Sequence, residues 1–158
     1  MTITIKSKAF AAGEPIPKKH TGEGPDVSPA LEWTGVPPKT QELALIMDDP
    51  DAPTPKPWVH WVIYKLPAGT TSLPEGVAKS EKLAAPAGAL QGKNSWNTGG
   101  YRGPLPPPGH GVHHYHFKVY ALDTPLNVKP CLEKEQLEAA MKSHILAEGE
   151  LIGTYERR

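Results

Sequence analysis

The sequence predicts a mainly β protein, a sandwich or barrel of short strands, and three observations carry the prediction. Nineteen prolines and fifteen glycines punctuate the chain at short intervals. Between them lie short runs rich in Val, Ile, Leu, Tyr and Trp, the rhythm of many short strands joined by turns. Strands and helices do not alternate along the chain, so the parallel βαβ architecture is not expected.

Each element has its own signal. Strands are expected at Thr2 to Lys6, Leu31 to Trp33, Glu42 to Asp48, Trp58 to Leu66, Val112 to Leu122 and Glu150 to Glu156. Leu66 to Trp96 is rich in Gly, Pro and small residues and reads as a long loop with one or two short strands. One amphipathic helix is expected over Glu133 to Leu146, because Leu137, Met141 and Ile145 recur at i, i+4 and i+8 between charged residues. The 158 residues fit one domain, 1–158, with a single core.

Composition narrows the function. Lys plus Arg and Asp plus Glu both number 17, so no global field draws the chain to nucleic acid or anionic lipid, and any anion site is local. The N-terminus lacks the apolar core of a signal peptide and no run is long enough to span a membrane, so a cytoplasmic protein is expected. One cysteine, Cys131, allows no intrachain disulfide. Its place beside Pro130 reads as incidental.

Side-chain alternation then sorts the polar residues. In Glu42 to Asp49, Leu43, Leu45, Met47 and Asp49 share one face, with Ala44, Ile46 and Asp48 on the other. In "WVHWVIYKL" one row is Trp58, His60, Val62, Tyr64 and Leu66, and its opposite is Val59, Trp61, Ile63 and Lys65. In "GYRGPLPPPGHGVHHYHFKVYALD" the row His113, Tyr115, Phe117, Val119, Ala121 is expected to face inward. His114, His116 and Lys118 then face solvent, and His110 belongs to the loop.

Two proline-stiffened loops flank these strands. "DDPDAP" places Asp49 and Asp51 at a strand exit in a loop whose backbone Pro50 and Pro53 hold, so that it aims its carboxylates. "GPLPPPGHG" is equally restrained, and its glycines allow close approach to a ligand. A histidine oriented by a carboxylate turns its other N–H outward, so His60, His113 and Tyr115 beside Asp49 and Asp51 can accept phosphate, sulfate or carboxylate. The same residue types admit a second reading, a metal-dependent hydrolase with His60, His113 and Asp49 as ligands. A third is an interaction module built on the "PLPPPG" loop. No "GxSxG" serine elbow, Walker loop or "GxGxxG" motif occurs.

"DVSPALEWTGVP", "DDPDAP", "WVHWVIYKLP", the histidine-rich stretch and the tail "HILAEGELIGTYER" together make the chain resemble the phosphatidylethanolamine-binding proteins, also called the kinase-inhibitor-protein family, in their bacterial and archaeal branch. The resemblance covers most of the chain. It implies an antiparallel two-sheet β-sandwich with one or two short helices near the C-terminus and an anion pocket at one end. It places pocket aspartates at Asp49 and Asp51, histidines at His60 and His113, the tyrosine at Tyr115, and walls at Pro53, Trp58, Gly103, Pro104 and Pro106. It further implies a non-enzymatic protein without cofactor or metal, binding a small anionic or phosphorylated ligand, with a kinase or protease as protein partner and homodimer formation left open. His114 stands where the family usually carries arginine, so the ion pair of that arginine is not carried over. Two residues follow Glu156, so no long C-terminal helix is expected over the pocket, and its mouth should be more open.

Overall fold

The computed structural model describes residues 2–158. Eight strands and one α-helix run in the order β1 (Thr4–Lys6), β2 (Leu31–Thr34), β3 (Glu42–Asp49), β4 (Trp58–Pro67), β5 (Ser72–Leu73), β6 (Leu90–Gln91), β7 (His113–Leu122), α1 (Lys134–Met141) and β8 (Ile145–Tyr155). They form a three-stranded sheet, β1-β2-β5, and a five-stranded sheet, β6-β4-β3-β7-β8, with every strand pair antiparallel. The expected mainly β, two-sheet architecture is what the chain adopts.

Both faces of the large sheet are covered. Leu43, Leu45 and Met47 of β3 point inward with Trp61, Ile63, Tyr115, Phe117 and Val119, against Ile5, Leu31, Trp33 and Leu73 of the small sheet. Ala44 and Ile46 point outward with Val62, Tyr64, Tyr120 and Leu122, beneath Leu137 and Met141 of α1. A strand covered on both faces is apolar throughout, and this explains the run from Leu43 to Met47. Each fully buried Leu, Ile or Phe contributes about 1.5–3 kcal/mol. Among the described residues no helix is long and apolar enough to cross a membrane.

Two expectations shift. The helix ends at Met141 rather than Leu146, because Ser143 adopts a left-handed conformation (φ 70°) that turns the chain, and Ile145 opens β8. Glu133 caps the helix through a reciprocal capping box with Gln136. β8 therefore starts five residues before its expected beginning at Glu150 and pairs with β7 along its length. The second shift concerns β4. Met47 pairs with Trp61 but Asp48 with Val59, which leaves His60 as an extra residue, a β-bulge. A further irregularity falls between the Leu43–Leu66 and Leu45–Ile63 pairs, where Lys65 has φ 55°. The expected single row Trp58, His60, Val62, Tyr64, Leu66 is thus broken: Val62 and Tyr64 face α1, whereas His60 and Leu66 face the inner side.

Candidate ligand pocket

The ends of β3, β4 and β7 converge at one edge of the inner core. Alternation on β3 carries Asp49 onto the inner side, where it is 3 % exposed. Alternation on β7 does the same for His113, 1 % exposed, and for Tyr115. The bulge re-aims His60 to meet them, and its ring lies edge-on to Tyr115 with centroids 5.1 Å apart. Between these side chains opens a cavity of about 230 Å³. Its lining is Asp49, His60, His113 and Tyr115 with an apolar wall that includes Pro53, Trp58, Trp96, Leu105 and Pro106.

The polar groups are tightly ordered. Asp49 Oδ1 accepts the backbone N–H of Asp51 at 2.8 Å, which shapes the turn, and Oδ2 accepts Nδ1–H of His113 at 2.6 Å. The other nitrogen of His113, Nε2, lies 2.6 Å from Nδ1 of His110. A carboxylate, a buried imidazole and an exposed imidazole thus stand in line. His60 has a different orienting group: its Nδ1 lies 2.6 Å from the carbonyl of Arg102. A carbonyl only accepts, so the hydrogen sits on Nδ1 and Nε2 of the neutral ring is an acceptor. Burial holds the His60 pKa down at about 4, even though that carbonyl opposes the shift. His60 is therefore a neutral acceptor at physiological pH. Of the two expected pocket histidines, His113 alone is oriented by a carboxylate. Burial and the charges of Asp49 and Asp51 push the Tyr115 phenol well up, so it remains a donor.

Of the residues singled out from sequence, Asp49, Pro53, Trp58, His60, Pro106, His113 and Tyr115 line the cavity, and Asp51, Gly103 and Pro104 lie outside its lining. Asp51 turns to His114, accepting its backbone N–H and Nδ1–H at 2.8 Å each. Burial would raise the Asp51 carboxyl, but these bonds outweigh it and hold the pKa below the usual value. His114 thus holds the loop that carries Asp51. Gly103 makes a close backbone approach, but to the carbonyl of His20, and its N–H donates to Asp26 Oδ1 at 2.7 Å. His114 is exposed and His116 partly exposed, as the alternation implied.

Trp96, Leu105, Thr54, Ala52 and Pro107 were not anticipated. Trp96 lies edge-on to both Trp58 (5.5 Å) and His60 (5.1 Å), and the Arg102 guanidinium sits 4.8 Å from its ring centroid. It falls in a segment with no strand periodicity to orient it. Its place is set by Asn94, whose Oδ1 accepts the N–H groups of Trp96 and Thr98 and the Thr98 hydroxyl. The opposite wall is clipped by Arg157, whose Nε donates to the Pro106 carbonyl and whose own carbonyl accepts the Gly109 N–H. Among the described residues no three His, Cys, Asp or Glu side chains converge as a metal shell, and both nitrogens of His113 are already engaged.

Two packed antiparallel sheets with a small, polar-floored pocket where three strands end define a β-sandwich protein with a cavity at one edge. The phosphatidylethanolamine-binding protein model matches residues 6–156. A UPF0098 protein of Pyrococcus horikoshii is 47 % identical over 158 residues, spanning 100 % of this chain and 78 % of the relative. Crystal structures of Escherichia coli YbcL (34 % identity, TM-score 0.92, all of both chains) and of a phosphatidylethanolamine-binding protein homologue from Chlamydia trachomatis (38 %, 0.88, 99 % of both) share the fold. The chain belongs to the phosphatidylethanolamine-binding protein family, and that membership supports a non-catalytic binding protein.

Proposed function

We propose that the cavity holds the anionic head of a small ligand, phosphate-bearing above all, and that the protein binds it without turning it over. The observation that carries this reading is the buried Asp49–His113 pair opening on the cavity. An anion cannot settle beside a carboxylate unless positive charge intervenes. With Nδ1–H fixed on Asp49, a proton taken up at Nε2 makes an imidazolium that balances Asp49 and offers an N–H to the ligand. Tyr115 supplies a second donor. His60 Nε2 accepts from a ligand hydroxyl, including the P–OH of a phosphate monoanion.

The size and walls agree with a head group. At about 230 Å³ the cavity is smaller than the roughly 300–1,000 Å³ of drug-sized pockets. Trp58, Trp96, Pro53 and Pro106 offer apolar contact to carbon next to the charged group. Neither serine nor cysteine is among the lining residues, and Asp49 is committed to His113 and to the Asp51 N–H, so no side chain stands ready as an activated nucleophile. Calorimetric titration with methyl phosphate, and with trimethyl phosphate as its neutral counterpart, tests the reading. The monoester should bind, the neutral ester should not, and His113→Gln should weaken the monoester at least tenfold. Equal binding of both esters, or a stoichiometric zinc ion lost with His60→Ala, would overturn it in favour of an apolar cleft or a metal site.

A further inference from the structure

His113 has no nitrogen to spare for a ligand. Nδ1 is bound to Asp49, and Nε2, the nitrogen an anion would need, lies 2.6 Å from His110 Nδ1. His110 is built differently from the other polar residues of the site. It is exposed, whereas His113 is 1 % exposed, and it does not line the cavity. It sits at a loop tip between Gly109 (φ 74°) and Gly111 (φ 92°), and a Cβ placed on either glycine would meet nothing within 4 Å. Both neighbours therefore have the backbone freedom of glycine and open space to use it. The loop behind them is fixed, since Arg157 holds Pro106 and Gly109. The His110 N–H also donates to the Pro107 carbonyl at 3.2 Å, so the part left free to turn, on the far side of Gly109 and through Gly111, is short and centred on one imidazole.

We propose that His110 is an internal stand-in for the ligand: it occupies His113 Nε2 while no anion is bound and swings out on its glycine pivots when an anionic group takes its place. This rests on the anion reading given above. The exchange balances with one proton taken up from solvent: that proton makes the Nε2–H from which the incoming anion accepts, while the exposed His110 ring recovers partners in water. Such an occupant weakens the apparent affinity of every ligand by the fraction of time it is closed. A neutral hydrogen bond of ordinary net worth corresponds to about a three- to tenfold effect.

The test uses sulfate, whose charge is constant across the working range, with the full-length protein and His110→Ala compared by calorimetry at one pH. The alanine variant should bind sulfate about three- to tenfold more tightly. In wild type, saturating sulfate should also shift the His110 ring nitrogens in NMR spectra from bonded to solvent-exposed values. His110→Ala binding sulfate as wild type does, or more weakly, would overturn the stand-in role and make His110 a bystander or a ligand partner. Absence of sulfate binding in both proteins would instead remove the anion reading, and this inference with it. Binding by His110→Ala alone would support the inference in its strongest form.

Discussion

Replacing Asp49 by asparagine isolates the charge that governs the pocket. The carboxylate lies 2.6 Å from His113 Nδ1. Adding the width of the ring, roughly 2 Å, and a further hydrogen bond of about 2.8 Å puts a bound anion about 7 Å from Asp49. At an effective dielectric near 20 the carboxylate repels each unit of negative charge on the anion by about 2.4 kcal/mol, a factor of roughly fifty in affinity. His60 adds no compensating charge, because its pKa of about 4 keeps it neutral. In Asp49→Asn the side-chain amide can donate to His113 Nδ1, so the neutral ring carries its hydrogen on Nε2, facing the anion, and the repulsion is gone. The variant should therefore bind sulfate more tightly than wild type at pH 8.5, by up to about fiftyfold for each unit of charge on the anion. Calorimetry at that pH, with thermal melts to establish that both proteins are folded, checks this. Equal or weaker binding by the variant would refute the argument, since the Asp49 charge would then not govern the pocket.

Two further outcomes follow from the same region. Because burial depresses the His60 pKa from 6.5 to about 4, the unfolded chain binds the proton first, and stability present at neutral pH is lost as pH falls through that window; the loss amounts to about 3 kcal/mol. His60→Asn should show a shallower decline in urea-unfolding free energy between pH 6.5 and 4, and an equally steep decline would place the acid sensitivity in other groups. Gly103→Ala would drive a Cβ into the His20 carbonyl oxygen and bring it within 2.8 Å of Asp26 Oδ1. It should cost about 1–3 kcal/mol of stability and weaken sulfate binding through the displaced loop, whereas a wild-type urea midpoint would show that the loop yields freely.

Regular alternation made much of this legible in the sequence. On β3 and β7 no bulge intervenes between the core and the pocket, so counting by twos placed Asp49, His113 and Tyr115 on the inner side. On β4 the same count fails, because a bulge is a property of strand pairing and leaves no residue type as its mark. The chemistry of His60 was likewise hidden: its partner is a backbone carbonyl forty-two positions away, and carbonyls are equally present at every position. Ile145 continues the helical spacing of Leu137 and Met141 but fits a strand as well, and only the left-handed turn at Ser143 decides between them. Trp96 could not be oriented, since no local period acts on a segment organised by the Asn94 side chain. β5 and β6 have two residues each, too few to show any period.

The clip formed by Arg157 on the Pro106–Gly109 loop, with the pairing of His113 to Tyr155, bears on the order in which the molecule is made. Synthesis delivers Asp49 and His60 first, His113 much later, and the strand that flanks His113 later still. Until residues 145–157 have left the ribosome, β7 is an open sheet edge and the proline loop has no fastening. The half-made chain can hold its central β3–β4 hairpin but not a shaped cavity, so ligand cannot act as a template for early folding. Recognition becomes available only once β8 and Arg157 are in place, and a ligand present in the cell stabilises only chains made past that point.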